Sequence, residues 1–211
     1  MDLDSPITLG QWILLFLVLI FAAFAAGLID EGVPPLVSQW FSSPVKVSNL
    51  STEELAERVL WPSDLPGDYL VVESRMRTTA DVSPIARDLG WKGGYIVRYQ
   101  PDGQAAYSGS SIQQVISVYP AENISRALPS TRYHRRMAEE NHENMIVDEL
   151  PDPGIGDRST ATKLSRPDDN TSACLIDFVR NDVYEQIMVY GPAPDYETAK
   201  SIAAIAAAKI R

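Results

Sequence analysis

One apolar stretch near the start of the chain constrains its organisation more than any other feature. From Trp12 to Ile29 the sequence carries no charged and no strongly polar residue, and an acidic pair and a Pro-Pro pair follow soon after. A helix rises about 1.5 Å per residue, so about 20 apolar residues cross the roughly 30 Å hydrocarbon layer of a bilayer. Residues 9–29 are therefore predicted to form a single transmembrane helix that anchors the chain in the lipid bilayer.

Two other structures are compatible with such a stretch. A cleaved signal peptide would use the Ala23-Phe24-Ala25 sequence as its cleavage site, but it should begin with a positive n-region, and no Lys or Arg precedes Lys46. A core helix buried in a soluble domain is the second alternative. The missing positive n-region and the full membrane-spanning length favour the uncleaved anchor.

The predicted anchor also carries a candidate partner-binding face. Small residues recur in its second half, including Ala22, Ala26 and Gly27. Small side chains allow a neighbouring transmembrane helix to approach closely. Trp12 suits the aromatic belt at the membrane interface. We therefore predict that these four residues contact other transmembrane subunits of a larger complex.

Length and charge limit what the rest of the chain can do. We divide the chain into an anchor at residues 1–31, a tether at residues 32–50 and a soluble domain at residues 51–211. The soluble part has the size of one ordinary domain with its own core. A formal net charge of −10 without a basic stripe argues against nucleic acid as a partner. Cys174 has no second cysteine to pair with and is predicted to be a small buried core residue.

The soluble domain combines short strand patterns with a few helical ones. An STEE sequence from Ser51 predicts a capped helix. Strands are predicted at residues 69–76, 95–100, 112–119, 145–150, 159–164, 172–180 and 183–191. Asn181-Asp182 between the last two strands is typical of a tight hairpin. The order predicts an α+β domain in which helices cover an antiparallel sheet.

Two apolar patterns predict which side chains face inward. In the first strand, Leu70, Val72 and Met76 alternate with charged residues. At the end of the chain, an Ala-rich helix that begins after Asp195 is expected to turn Ile202, Ile205 and Ala206 toward the core.

The order of these parts resembles bacterial and archaeal membrane-anchored or lipoprotein extracytoplasmic domains with a PsbP-like α/β sandwich. The resemblance rests on LPGDY at residues 65–69, GWKGGYIVRY at residues 90–99, GIGDRS at residues 154–159, and the final hairpin with its Ala-rich helix. It implies an accessory or binding protein outside the cytoplasmic membrane, since PsbP-like proteins are extrinsic helpers of photosynthetic complexes. It carries over no functional residue, and the lipobox cysteine of lipoproteins is missing.

Residue composition and the resemblance give opposite answers on membrane orientation. Lys46 is the only basic residue within about 20 residues of the predicted helix, so the positive-inside rule weakly favours a cytoplasmic domain. The resemblance instead implies the periplasmic side. We predict a single-pass protein of the cell membrane whose soluble domain is extracytoplasmic.

A basic cluster in the polar helical region at residues 121–143 is the candidate partner-binding surface of the soluble domain. Arg132, Arg135 and Arg136, with Arg126 nearby, could contact lipid phosphates or an acidic partner subunit. The alternative is a self-neutralised helix face, because acidic residues follow Arg135 and Arg136 at i+4.

No motif indicates catalysis, a cofactor or a metal. His134 and His142 lie eight positions apart, not at the i, i+4 spacing of a shared metal, so both are predicted to be surface histidines. The acidic turns lack the ligand spacing of an EF-hand, and the glycines at residues 90–94 precede a strand instead of a phosphate-binding helix. No nucleophile motif is present.

These observations lead to two functional hypotheses from different classes. We favour a non-catalytic, single-pass accessory subunit of a membrane protein complex, with an electron-transport or photosynthetic complex as a possible host. The alternative is a membrane-tethered ligand-binding or sensory domain, which requires a pocket lined by several tyrosines and Trp91. An enzyme is the least favoured reading.

Overall fold

The computed structural model describes residues 50–103, 110–129, 131–140, 144–168 and 171–210. No helix within these ranges is long and apolar enough to cross a membrane. The predicted anchor, most of the tether, the four residues of the candidate partner-binding face and His142 lie outside the described part of the chain. What was inferred for them stays a prediction.

Seven strands and five α-helices form within the described ranges. The strands are β1 (Tyr69–Met76), β2 (Gly93–Pro101), β3 (Ser111–Val118), β4 (Ile146–Glu149), β5 (Arg158–Arg166), β6 (Thr171–Arg180) and β7 (Val183–Gly191). The helices are α1 (Thr52–Ala56), α2 (Pro84–Asp88), α3 (Ile124–Ala127), α4 (Thr131–Glu140) and α5 (Tyr196–Lys209). The predicted α+β class is confirmed for this part of the chain.

All seven strands belong to one antiparallel sheet with the order β1-β2-β3-β7-β6-β5-β4. The first three strands make one up-and-down run, and the last four make a second. The two runs join where β3 pairs with β7, from Ser111 opposite Tyr190 to Val118 opposite Val183. We call this pairing the central seam. It places β3 and β7 in the middle of the sheet, where both faces can be covered.

Local signals in the sequence explain several of the element boundaries. The Ser51 hydroxyl accepts from the amide of Glu54 at 3.3 Å, and the Glu54 carboxylate accepts from the amide of Ser51 at 2.7 Å. Asp195 caps α5 by accepting from the amide of Thr198 at 2.8 Å. Asn181 adopts a φ of 58° at the β6–β7 turn, a conformation that asparagine tolerates. The predicted capping box, hairpin and C-terminal helix are confirmed.

The main core lies between one face of the sheet and the helices α1 and α5. Helix α5 packs on β6 and β7 and buries a stripe that includes Ala199, Ile202, Ala203 and Ala206. Alanine side chains let its backbone lie close to the strands. Cys174 on β6 belongs to the same core, and burial raises the pKa of its thiol to about 11. Its predicted role as a buried apolar residue is confirmed.

Four of the inward-facing assignments are wrong. Ile205 is 39% exposed because it lies at the edge of the buried α5 stripe. In β1 the predicted strand is present, but Leu70 and Val72 are each about half exposed and Met76 is 36% exposed. β1 is an edge strand with a register shift between Val71 and Glu73, and these three side chains lie outside the main core although Tyr69 at the start of the strand packs against it.

Candidate functional site

The sheet face that points away from α5 carries a groove of about 660 Å³. Side chains alternate between the two faces of a strand, and Glu185 and Ile187 of β7 point into the main core. Tyr184 and Gln186 therefore point to the other face, where they line the groove. Its remaining strand residues are Ile96 of β2 with Gln113 and Val115 of β3.

Two helical segments provide the sides of the groove. On one side, α2 begins at Pro84, and the Ser83 hydroxyl caps it by accepting from the amide of Ala86 at 3.2 Å. The groove residues of this side are Ser83, Ile85, Ala86 and Leu89. On the other side, α3, α4 and the chain between them contribute Arg126, Ala127, Leu128, Pro129, Tyr133, His134 and Arg136. A volume of this size suits a small molecule.

Tyrosines line this groove, as the ligand-binding hypothesis requires, but Trp91 does not. The tyrosines are Tyr119, Tyr133 and Tyr184. Trp91 packs in a small cluster with Leu89. A Cβ atom at Gly94 would stand 2.5 Å from the backbone oxygen of Ile116 and 3.3 Å from the Trp91 ring. Glycine at position 94 therefore allows β2 to lie close to Ile116 of β3 and to the Trp91 ring.

A fully buried carboxylate, Asp177 of β6, ties α4 to the sheet beside the groove. One of its oxygens accepts from the Tyr184 hydroxyl at 2.5 Å and from the Gln186 amide at 2.8 Å. The other lies 3.3 Å from Nε2 of His134, whose side chain is only 14% exposed. Burial and the neighbouring Asp177 carboxylate raise the pKa of Tyr184, which keeps its hydroxyl protonated as a donor.

Removing the Asp177 carboxylate is expected to destabilise the protein. In Asp177→Ala, the partly buried Tyr184 hydroxyl and Gln186 amide lose their acceptor, which should cost about 2 kcal/mol of unfolding free energy. Asp177→Asn should cost less, because its oxygen can still accept both bonds. Urea unfolding of the two variants measures the difference. Equal losses would contradict this account of the network.

Charged side chains within the groove are mostly basic. Arg77 reaches into it from the segment after β1 and is more than half buried. Its guanidinium donates to the Ser117 hydroxyl at 2.8 Å and to the backbone oxygen of Asp81 at 2.7 Å. The Asp81 carboxylate instead makes a two-bond ion pair with Arg75 at 2.9 Å, which holds its pKa far below the usual range.

A second cavity of about 420 Å³ lies on the same face of the sheet. It shares Gln113 with the groove and is lined by Tyr190, Met188 and Leu164 among others. Several of its other lining residues, such as Met145 and Thr171, adjoin stretches outside the described ranges. The groove is the better-described candidate site.

The predicted basic cluster lies on α4 and divides between two surfaces. Arg136 lines the groove, and Arg132, Arg135 and Arg136 together border a separate depression on the helix. Arg135 donates to the backbone oxygen of Val147 at 3.1 Å and makes no ion pair with Glu139. The i, i+4 self-neutralisation is therefore absent at Arg135. Partner binding by these arginines stays a prediction.

The prediction that His134 is an ordinary surface histidine is wrong. Residue spacing within one helix could not reveal its partner, since Asp177 lies 43 positions away on β6. Among the described residues, no group of three or more His, Cys, Asp or Glu side chains is placed to hold a metal ion.

A second buried polar pair crosses the central seam on the main-core face. The Gln114 amide donates to Glu185 at 2.5 Å, and the Gln114 oxygen accepts from the amide of Leu60 at 2.8 Å. Both side chains are fully buried, and the second oxygen of Glu185 has no hydrogen-bond partner. Burial raises the pKa of Glu185 to about 8. Neither side chain lines the groove or the second cavity.

Together the fold and the groove define an α+β domain with a small-molecule-sized site on one face of an antiparallel sheet. Its fold is similar to the extracellular domain of PknH from Mycobacterium tuberculosis, with a TM-score of 0.54 and 12% sequence identity. The alignment covers 76% of this chain and 96% of that domain. At this identity the likeness concerns the fold alone. No family model and no curated protein matches the sequence.

Proposed function

We propose that this chain is a membrane-tethered, extracytoplasmic domain that binds a small molecule in the groove and serves a sensory role. The groove carries the proposal, because it combines adequate volume, apolar and aromatic lining, and several charged groups. The fold likeness to an extracellular domain supports the extracytoplasmic placement. The apolar residues 9–29 supply the membrane anchor, as inferred from the sequence alone.

The accessory-subunit hypothesis and the PsbP-like comparison stay predictions. Both rest on the anchor and on fold-building turns, and no described contact favours them over ligand binding. We further propose that the domain is not an enzyme. The Asp177 and His134 side chains contact each other and neighbouring sheet residues, and no nucleophile faces them in the described contacts.

Blocking the groove with one large side chain tests the proposed function. Gln113 lines both cavities from the centre of β3, so Gln113→Trp should fill the site. Lys163→Trp on β5 is the matched control, since Lys163 is exposed and borders none of the described cavities. The full chain in nanodiscs would be screened against a metabolite library by thermal shift.

At least one compound is expected to raise the Tm of the wild type and of Lys163→Trp but not that of Gln113→Trp. A ligand present at 100 times its Kd stabilises the folded state by about 2.7 kcal/mol, which corresponds to a shift of a few degrees. A screen without such a compound, or hits that persist in Gln113→Trp, would overturn the proposal.

A further inference from the structure

The charge of the groove is opposite to that of the whole protein. The chain carries a formal net charge of −10, yet three arginines and one carboxylate line the groove. That carboxylate, Asp81, is occupied by the ion pair with Arg75. It therefore contributes little negative charge toward a ligand. A basic site in an acidic domain favours anions over cations.

The described hydrogen bonds of the Arg77 guanidinium do not include one to an anionic group. Its hydrogen bonds go to a hydroxyl and to a backbone carbonyl, which are both neutral acceptors. Burial lowers the pKa of Arg77, and the neighbouring Tyr119, Tyr184 and Asp81 groups offset this lowering only in part. The nearby Asp177 carboxylate does not fill this role, because its contacts are with Tyr184, Gln186 and His134.

Arg126 provides a second cation at the same groove. Its side chain is exposed, and no ion pair or hydrogen bond joins its guanidinium to another described residue. Guanidinium groups bind carboxylates and phosphates through paired N–H donors. Arg77 and Arg126 thus both leave donor capacity in the lining of one cavity.

The rest of the groove is suited to an apolar body. Its carbon-rich lining comes from β2, β3, α2 and the chain around α3, namely Ile96, Val115, Ile85, Leu89 and Leu128. The ring faces of Tyr119 and Tyr184 belong to the same surface. Aromatic side chains favour flat or ring-shaped apolar groups. An inorganic ion would leave this surface unused.

We infer that the groove binds a small organic anion, namely a carboxylate or phosphate monoester with a ring or short-chain body, whose charged group is held by Arg77 and Arg126. The inference rests on the proposed ligand-binding function and specifies its ligand class. The anionic group supplies the charge that Arg77 lacks, and the body replaces water on the apolar lining.

Four probes of similar size separate charge from shape. Phenyl phosphate and benzoate are the anions, benzyltrimethylammonium is the cation, and benzyl alcohol is neutral. Inorganic phosphate tests the charge alone. Binding to the full chain in zwitterionic nanodiscs would be measured by isothermal titration calorimetry, with empty nanodiscs as the blank. We expect at least one aromatic anion to bind about tenfold or more tightly than the cation, the alcohol or inorganic phosphate.

Arginine variants connect that preference to the groove. Arg126→Gln removes an exposed charge without breaking a described contact and should weaken anion binding about tenfold. Arg77→Lys keeps a charge but loses the paired donors, so it should also weaken binding. Arg87→Gln is the control for net charge, because Arg87 is exposed on α2 outside the groove lining. It should bind like the wild type.

The outcomes separate this inference from the proposed function. Preferential binding of the cation or the alcohol, lost in Gln113→Trp, would overturn the anion assignment and leave ligand binding intact. Anion binding that Arg87→Gln weakens as much as Arg126→Gln would show a general charge effect and overturn the assignment to the groove. Absence of binding by both aromatic anions at millimolar concentration would also overturn the inference, whatever the metabolite screen finds.

Discussion

Glu185→Gln is expected to make the protein more stable than the wild type at pH 8 and to leave its stability near pH 4.5 almost unchanged. Glu185 is fully buried at the central seam, with one oxygen bonded to Gln114 and the other without a partner. Glutamine has the size and neutrality of the protonated acid. The variant therefore mimics the form that the folded protein prefers.

The direction of the pH dependence follows from the two pKa values. Burial raises the pKa of Glu185 from 4.5 in the unfolded chain to about 8 in the folded one. Between these values the folded state holds the proton more strongly than the unfolded state does. Wild-type stability should fall as the pH rises from 4.5 to 8, by an amount on the order of 4 kcal/mol. Glutamine does not titrate in this range, so the stability of the variant should not decrease in this way.

Urea unfolding from pH 4.5 to pH 9 measures the effect. Glu122→Gln is the matched control, because Glu122 is exposed and its substitution removes the same charge. Its curve should run parallel to that of the wild type. If the curves of Glu185→Gln and the wild type are also parallel across this range, Glu185 does not titrate as described.

Gly156→Ala is expected to destabilise the protein by about 3 kcal/mol or more, while Gly154→Ala in the same loop should cost only about 1 kcal/mol. Both glycines have left-handed backbones, with φ values of 68° and 66°. They differ in surroundings. A Cβ atom at Gly156 would collide with the backbone oxygen of Val179 and stand 3.3 Å from the Phe178 ring.

Comparing Gly154→Ala with Gly156→Ala separates the cost of backbone strain from the cost of steric contact. Nothing lies within 4 Å of a Cβ atom at Gly154, so its substitution adds the left-handed strain alone. At Gly156 the added methyl group must also displace β6, since the amide of Asp157 donates to the same Val179 oxygen at 2.8 Å. Thermal or urea unfolding of the two variants provides the comparison. Equal losses would mean that the loop moves freely away from β6.

Local signals in the sequence predicted most of the sheet. The strand predicted at residues 112–119 is present as β3, and Ile112, Gln114, Ile116 and Val118, which alternate along it, are all buried. The hairpin and the capping box depend on neighbouring residues, so their chemistry is visible in a short window. The α2 helix was not predicted, because its five residues offer too few turns for an apolar periodicity.

The candidate site was harder to foresee for a physical reason. Its parts come from β2, β3, β7 and three helices, and no local pattern reports which of these elements meet. His134 illustrates this limit, since a polar helix predicts exposure and only the packing of α4 on the sheet buries it against Asp177. The sequence indicated Arg126 as part of a basic cluster. No pattern in the neighbouring residues indicated that Arg77 belongs to a site.

Most of the entropic cost of loop closure in this sheet arises where the central seam forms. Neighbouring strands within each run are connected locally, but Val118 meets a residue 65 positions along the chain, and Ser111 meets one 79 positions along. Such a closure costs configurational freedom before any contact offsets it. We therefore expect the two runs to form first as separate sets of hairpins. The pairing of β3 with β7 should then be the slow step of folding. Gln114 and Glu185 lie on the two strands of that seam, so a register error would break their hydrogen bond and leave Glu185 without a partner.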